Sequence, residues 1–257
     1  MLLELRGVKK HFGGLKAVDG VDAGLAEGEI LGLVGPNGAG KTTLFNTICG
    51  VYRPTAGEIY FAGRKISGLP PSTVAGLGIG RTFQISRVFK QMTVLENVLV
   101  PQGLLFYNQP WRSLWHRPGL AEAEKARRLL QRVGLAEKVG LTAAQLSLAE
   151  QRRLEIARAL ALKPKLLMLD EPCAGLSQEE IRAFVALVKE LRQERLTMVL
   201  IEHNMAVAAE LCDRIVVLSY GKKIAEGRPE EIQRDPAVIQ AYLGEEEVER
   251  PVRASIR

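Results

Sequence analysis

The chain has 257 residues, which is too long for the commonest single-domain size and short for two full domains; one large α/β domain with a smaller subdomain fits best. Apolar residues at 47% and charged residues at 25% are ordinary for a soluble globular protein and exclude a wholly disordered one. The formal charge of +6 permits contact with nucleic acid, anionic lipid or an acidic partner without choosing among them, and no arginine-rich tail or RNA-binding signature accompanies it.

No apolar stretch approaches the ~20 residues that a bilayer crossing needs. The opening MLLELRGVKKHFGG places charges after a very short apolar run and does not read as a secretory signal. Cys49, Cys173 and Cys212 are far apart and form neither a zinc pair nor a disulfide framework, as suits a reducing cytosol.

In chain order, LLELRGV is strand-like, and ILGLVG (30–35) is a continuous apolar run that predicts a buried strand. A glycine turn follows, then a helix over Lys41–Cys49. EIYFAG and IGRTFQ are again strand-like. From about residue 85 to 150 the texture turns helical, through TVLENVLV and AEAEKARRLLQRVGL. Between these two lies PQGLLFYNQPWRSLWHRPG, rich in proline and aromatics, with Phe106, Tyr107, Trp111 and Trp115. LLMLD (166–170) predicts a second buried strand. In QEEIRAFVALVKELRQER (178–195), Ile181, Phe184, Val185, Val188 and Leu191 recur at helical spacing, and Ser177 with Glu180 forms a capping box. TMVLIE (197–202) and RIVVLS (214–219) predict two more buried strands. Unbroken apolar strands alternating with helices imply a parallel sheet covered on both faces, a three-layer α/β core. The region 85–150 reads as a helical subdomain inserted into that core, and the charged end GEEEVERPVRASIR as a frayed tail.

GPNGAGKTT (35–43) matches GxxxxGK(S/T) directly between a strand and a helix, the context the motif requires. Gly35, Gly38 and Gly40 permit turns closed to other residues and a close approach to a ligand. Successive N–H groups then surround phosphates at a helix N-terminus, where the dipole favours anions. Lys41 offers a point charge to the outer phosphates, and the Thr42 hydroxyl suits the octahedral shell of Mg²⁺. Asp170 ends a buried strand, where a carboxylate is costly unless it meets a cation or donors. Glu171 beside a bound triphosphate would orient and deprotonate an attacking water.

In this order the segments resemble the ATP-binding cassette of ABC transporters, over nearly the whole chain. Gln84, ending GRTFQ, resembles the family's Q-loop; LSLAEQRRLEIARAL (146–160) resembles its signature segment; LLMLDEP resembles its second nucleotide motif with the catalytic glutamate. AGLS (174–177) sits where the D-loop belongs, His203 resembles the switch histidine, and Phe12 lies where an aromatic stacks on adenine. GRTFQISRVFKQMTVLENVLV, RRLEIARAL and GRPEEIQRDPAVIQAYLGEE further resemble the ATP-binding subunits of bacterial branched-chain amino-acid importers, which carry a variable insertion where this chain has 101–119.

The resemblance implies a P-loop core with an antiparallel β subdomain over 1–84 and 151–243, a helical signature subdomain over 85–150, and a flexible tail over 244–257. It implies ATP held by Phe12, by Gly35, Pro36, Asn37, Gly38, Ala39, Gly40, Lys41, Thr42 and Thr43, and, across a subunit interface, by Ser147 and Ala149. Thr42, Gln84 and Asp170 would hold Mg²⁺; Glu171 would be the general base; His203 would contact the γ-phosphate; Gln84 would also reach the attacking water. For His203 the bland alternative is a helix-capping histidine, and for Phe12 simple packing in the β subdomain. With one phosphate loop and one signature, the chain would work as a head-to-tail dimer, with itself or with a related subunit, sandwiching two MgATP. It would sit on the cytoplasmic face of the inner membrane, driving separate permease subunits fed by an external solute-binding protein, with no nucleic-acid partner. Residues 101–119 are a candidate permease surface, against the alternative of a satellite apolar cluster. A cassette acting on chromosomes or ribosomes, or a regulatory module with little turnover, fits less well. The solute rests on resemblance alone, with other amino acids, amides or urea-like compounds as alternatives.

Two departures bear on the chemistry. The family's LSGGQ falls on Leu146–Glu150, read here as LSLAE, with Leu148 and Ala149 for the glycines and Glu150 for the glutamine. Ser147 keeps its hydroxyl at a helix N-terminus and Ala149 keeps its N–H, but Glu150 adds a negative charge that would weaken phosphate binding unless it points away. Ser177 stands where many relatives have aspartate, which puts the D-loop's inter-subunit contact in question.

Overall fold

The chain begins with β1 (Leu3–Phe12) and β2 (Leu15–Leu25), joined by a tight turn at Gly13–Gly14 and paired antiparallel from Leu3↔Leu25 to Phe12↔Leu15. Shifts of register interrupt this ladder at three places, so apolar residues do not alternate cleanly along either strand. There follow β3 (Ile30–Val34), α1 (Lys41–Ile48), β4 (Ala56–Phe61), β5 (Arg64–Lys65), α2 (Pro71–Gly76) and β6 (Ile79–Arg81). Helical segments then dominate: α3 (Val94–Leu104), α4 (Leu120–Arg132) and α5 (Leu148–Ala161). β7 (Leu166–Asp170), α6 (Gln178–Gln193), β8 (Thr197–Ile201), α7 (Met205–Leu211), β9 (Arg214–Ser219), β10 (Lys222–Gly227), α8 (Pro229–Ile232) and α9 (Pro236–Glu249) complete the order. This computed structural model describes residues 1–82, 88–104 and 119–249.

Two compact units emerge. One joins residues 1–76 to the chain from Arg195 onward; the other is Leu77–Glu194. The first unit holds an antiparallel sheet of order β2-β1-β4-β5. It also holds a second set of strands in which β3 lies between β8 and β9, parallel to both, with β10 antiparallel on the far side of β9. β3 and β8 are buried along their whole length, as continuous apolar runs in a parallel arrangement should be. Leu3, Leu5, Leu25, Leu33, Leu44 and Val216 line one apolar seam, which brings β1, β2, β3, α1 and β9 together.

In the second unit β6 and β7 pair in parallel, Ile79↔Leu166 through Arg81↔Met168, and α3, α4 and α5 pack together. A buried amide fixes the entry to α3: Asn97 Oδ1 accepts from the Phe89 N–H at 2.8 Å, and its Nδ2 donates to the carbonyls of Phe89 and Thr93, both at 3.0 Å. α6 buries Phe184, Val185, Leu187, Val188 and Leu191; of the stripe its sequence period predicts, Ile181 in the first turn is only half-buried, and Leu187 is added. The expected capping box is present, Ser177 N–H donating to Glu180 Oε2 at 2.8 Å and Glu180 N–H to Ser177 Oγ at 3.3 Å. The expected strand IGRTFQ ends as β6 at Arg81, and α3 runs past the expected TVLENVLV to Leu104.

Candidate nucleotide site

β3 delivers the chain to Gly35, and the loop that follows is shaped by three glycines with positive φ: Gly35 at 146°, Gly38 at 74° and Gly40 at 100°. Two of these positions are closed by neighbouring backbone as well. A Cβ on Gly35 would lie 2.1 Å from the Leu218 carbonyl oxygen, and one on Gly40 would lie 2.1 Å from the Ala17 carbonyl oxygen. Gly40 is the N-cap of α1 and lies in the left-handed region, and no side-chain hydrogen bond caps it. No side chain therefore competes for the N–H groups of the first turn, around Thr42 and Thr43, where the dipole's positive end favours an anion. At the loop tip Asn37 and Gly38 are exposed, and a Cβ built on Gly38 meets nothing within 4 Å. Pro36 and Ala39 are buried beneath it. Lys41 is 4% exposed, and its Nζ donates to the carbonyls of Gly35 at 2.6 Å and Pro36 at 2.8 Å. The ammonium is thus drawn across the loop rather than out into solvent. Thr42 and Thr43 are half-buried on the first turn of α1.

The same unit carries Phe12 and His203. Phe12 ends β1 with 42% of its surface exposed, so it is not a core residue. Its ring meets the Tyr52 ring edge-on, with centroids 5.2 Å apart at 84°, and Lys10 Nζ lies 4.7 Å from the Phe12 centroid. One aromatic is fixed by a second and by a cation, an arrangement suited to stacking. Tyr52 was not singled out from the sequence; an aromatic just beyond the phosphate-loop helix was its only signal. His203 is exposed two residues after the end of β8, following the buried Glu202. It is not the cap of the next helix: Asn204 is, its Oδ1 accepting from the N–H groups of Ala206 at 3.0 Å and Val207 at 3.3 Å.

The other unit carries the acidic and signature residues. Asp170 closes β7 in the interior, with its N–H directed to Thr82 Oγ1 at 3.3 Å. Glu171 is buried at φ 46°, a left-handed conformation that costs roughly 1–3 kcal/mol for a residue with a Cβ. Strain of that kind is tolerated where the surroundings fix a side chain for a task. At the signature, Ser147 is the N-cap of α5, and Glu150 does not face outward as an unpaired charge. Its Oε2 accepts from the Ser147 N–H at 3.0 Å, its own N–H donates to Ser147 Oγ at 3.3 Å, and its Oε1 meets Lys138 Nζ at 2.5 Å. Burial pushes the Glu150 carboxyl up, but the Lys138 ammonium and the Ser147 N–H outweigh that and hold it below the ordinary carboxylate range. The charge anticipated as an obstacle is neutralised locally. Lys138 carried no signal in the sequence, since it lies twelve residues away on a short 3₁₀ turn. Ala149 is buried, whereas Leu148 is exposed and lies 3.2 Å from the place of a Gly175 Cβ, so the leucine packs on the turn that holds AGLS. Gln84 and the aromatic stretch 105–118 lie outside the described residues.

Among the described residues no cluster of three or more His, Cys, Asp or Glu could hold a metal ion, and no helix is long and apolar enough to cross a membrane.

Residues 18–174 match the family described as ABC transporter, and residues 222–248 match one described as branched-chain amino acid ATP-binding cassette transporter. Over 250 residues the chain is 44% identical to the high-affinity branched-chain amino acid transport ATP-binding protein LivG of Salmonella typhimurium, spanning 95% of this chain and 98% of that protein. Among solved structures, the ADP conformation of MJ1267, an ATP-binding cassette of an ABC transporter, is similar with a TM-score of 0.84 and 33% identity, covering 95% of this chain and 98% of that one. A dimeric post-hydrolysis state of the cassette MJ0796, bound to ADP and Pi, is similar with a TM-score of 0.77 and 28% identity over 89% of this chain and 99% of that one.

Proposed function

The chain belongs to the ABC transporter family as an ATP-binding, ATP-hydrolysing motor subunit of the importer type, and from that premise we propose that it powers uptake of branched-chain amino acids. Its fold is that of the ABC ATPase cassettes. The amino-acid reading is supported by the match over 222–248, a segment separate from the nucleotide motifs, together with the identity to LivG along the whole chain. Cassettes of this family bind nucleotide, dimerise and work with membrane permease components.

The observation that carries the nucleotide assignment is the start of α1, where a left-handed glycine stands at the N-cap and no side chain takes its place. We assign Gly35–Thr43 to the phosphates of ATP, with Lys41 as the charge toward the outer phosphates and Phe12 as the base platform. Mg²⁺ fits the donor chemistry: Thr42 offers a hydroxyl and Asp170 a carboxylate, both hard oxygens, and Mg²⁺ ordinarily takes only one or two protein ligands beside substrate phosphates and water. When bound, it would neutralise charge on the phosphates. Gln84 is assigned as a third contact to the metal and the water.

In hydrolysis the water oxygen forms a bond to the γ-phosphorus while the bond to the bridging oxygen breaks. ADP leaves, and Glu171 takes the water proton. His203 supports the γ-phosphate. Ser147 and Ala149 are assigned to the γ-phosphate held by a second subunit, identical or related. Pairing with separate permeases and an external solute-binding protein, and residence on the cytoplasmic face of the inner membrane, complete the proposal. Residues 85–150 form its signature subdomain; of the tail expected over 244–257, the described part, to Glu249, lies in α9.

Glu171→Gln tests the assignment. With saturating MgATP it is expected to accumulate as a nucleotide-bound dimer in sizing experiments, with turnover reduced by about 10²–10⁴-fold. A variant that stays monomeric and hydrolyses ATP at the wild-type rate refutes the role of Glu171. Competition of leucine uptake by isoleucine, valine, amides and urea, in the assembled transporter, tests the solute.

A further inference from the structure

The turn between β9 and β10 belongs to none of the motifs assigned above, yet two other backbone segments of the nucleotide-binding unit, the phosphate loop and β2, meet on it. Ser219 pairs with Lys222 across a two-residue turn, and both central residues have positive φ, Tyr220 at 46° and Gly221 at 78°. That is the primed hairpin turn whose twist matches its strands. Tyr220 is 91% exposed, so packing of its side chain does not explain the turn's place.

Gly221 makes two backbone bonds away from its own hairpin. Its N–H donates to the carbonyl of Ala39 in the phosphate loop at 3.0 Å, and its carbonyl accepts from the Asp19 N–H in β2 at 2.7 Å. A Cβ here would lie 2.7 Å from the Lys16 carbonyl oxygen and 3.0 Å from that of Ala17. The Ala17 carbonyl is also the group that closes Gly40, and the Gly221 Cα lies 3.4 Å from where a Gly40 Cβ would be. At the other end of the loop, Gly35 is closed by the carbonyl of Leu218, on β9 just before the turn. The end of β9 and its turn therefore clasp the phosphate loop at both ends, at Gly35 and at Ala39–Gly40. The same turn joins it to β2, which runs through a tight hairpin to Phe12.

We infer that Gly221 is a positioning residue for nucleotide binding: without touching the nucleotide, it fixes the phosphate loop against β2. The inference rests on the reading of Gly35–Thr43 as the phosphate site. A side chain at 221 would push the turn away from Lys16–Ala17 and break the bond to Ala39. The loop's N–H groups would then lose their aim, the kind of displacement by about 1 Å that weakens a site by as much as a hundredfold.

The test is titration of the full chain with MgADP, comparing wild type with Gly221→Ala, Gly57→Ala and Lys41→Ala. Gly57 is the matched control: it has φ 81° and a Cβ there would lie 2.2 Å from the Gly7 carbonyl oxygen, in the β1–β4 ladder, so its replacement is strained but remote from the phosphate loop. Gly57→Ala is expected to lower the melting temperature with ADP affinity within about threefold of wild type. Gly221→Ala is expected to bind MgADP about ten- to a hundredfold more weakly. A folded Gly221→Ala with wild-type affinity overturns the inference, as does an equal loss in Gly57→Ala. If Lys41→Ala binds as wild type does, the phosphate-site reading fails instead. Hydrogen exchange of the unaltered protein decides the case where Gly221→Ala does not fold. The amide of Gly221 is expected to exchange more slowly once MgADP is bound, and unchanged exchange overturns the inference.

Discussion

Two helices of this chain begin at functional motifs and satisfy their first turns in opposite ways. α1 starts on a left-handed glycine, with no side-chain cap and its cation, Lys41, tied to backbone carbonyls. α5 starts on a serine locked in a reciprocal box with Glu150, and its cation, Lys138, neutralises that glutamate. The same orphan N–H groups exist at both ends. No side chain caps the α1 donors, whereas α5 satisfies part of its own set and keeps one resource: Ser147 Oγ accepts from Glu150 N–H and still has its hydroxyl proton to donate. The contrast assigns binding strength to the phosphate loop and conditional contact to the signature.

The largest break in that contrast is Gly40→Ala. The new Cβ must displace the Ala17 carbonyl or twist the cap out of its left-handed shape. We expect a stability loss of about 3 kcal/mol, read from the denaturant midpoint, and loss of most MgADP binding. A variant that binds MgADP normally would show that the α1 donors do not depend on this backbone.

Ser147→Ala comes next. Removing a serine cap costs about 1 kcal/mol, and the melting temperature should fall by a few degrees. MgADP affinity of the isolated subunit should not change, whereas the MgATP-driven dimer should weaken. A loss of MgADP affinity equal to that of Gly40→Ala would erase the distinction between the two helix starts.

The difference between these helices also explains what was legible in the sequence. β3, β7, β8 and β9 announce themselves as unbroken apolar runs because the fold covers both faces. β2 and β10 do not: LKAVDGVDAGL is interrupted by register shifts and exposed charges, and KKIAEG has no buried position. The phosphate loop was readable because its function is written in backbone freedom, and glycine encodes that directly. The α5 start misleads because Ser147 and Glu150 share the S-x-x-E spacing of Ser177–Glu180, but the same residues also read as a departure from a glycine motif, which hides the box. Lys138 and Gly221 were not readable at all. Their partners are brought to them by tertiary structure, and neither sits in a local pattern that names its role.

The finest test of the contrast is the charge on Glu150. Its folded carboxyl is held below the ordinary value, so its contribution is fully present above the unfolded pKa of about 4.3 and is lost as pH falls through the lower folded value. Glu150→Gln keeps an oxygen for the Ser147 N–H, since glutamine also completes a capping box, but it gives up the charge paired with Lys138. The pair is partly exposed, so the variant should lose only about 0.5 kcal/mol at neutral pH. That deficit should hold from about pH 7 to pH 5 and shrink toward zero below about pH 4, where wild-type Glu150 is itself becoming neutral. Denaturant midpoints of the two proteins across that range measure it. Equal midpoints at neutral pH would mean that Glu150 acts only through its capping bond, which glutamine keeps, and that Lys138 plays no part in quieting the signature.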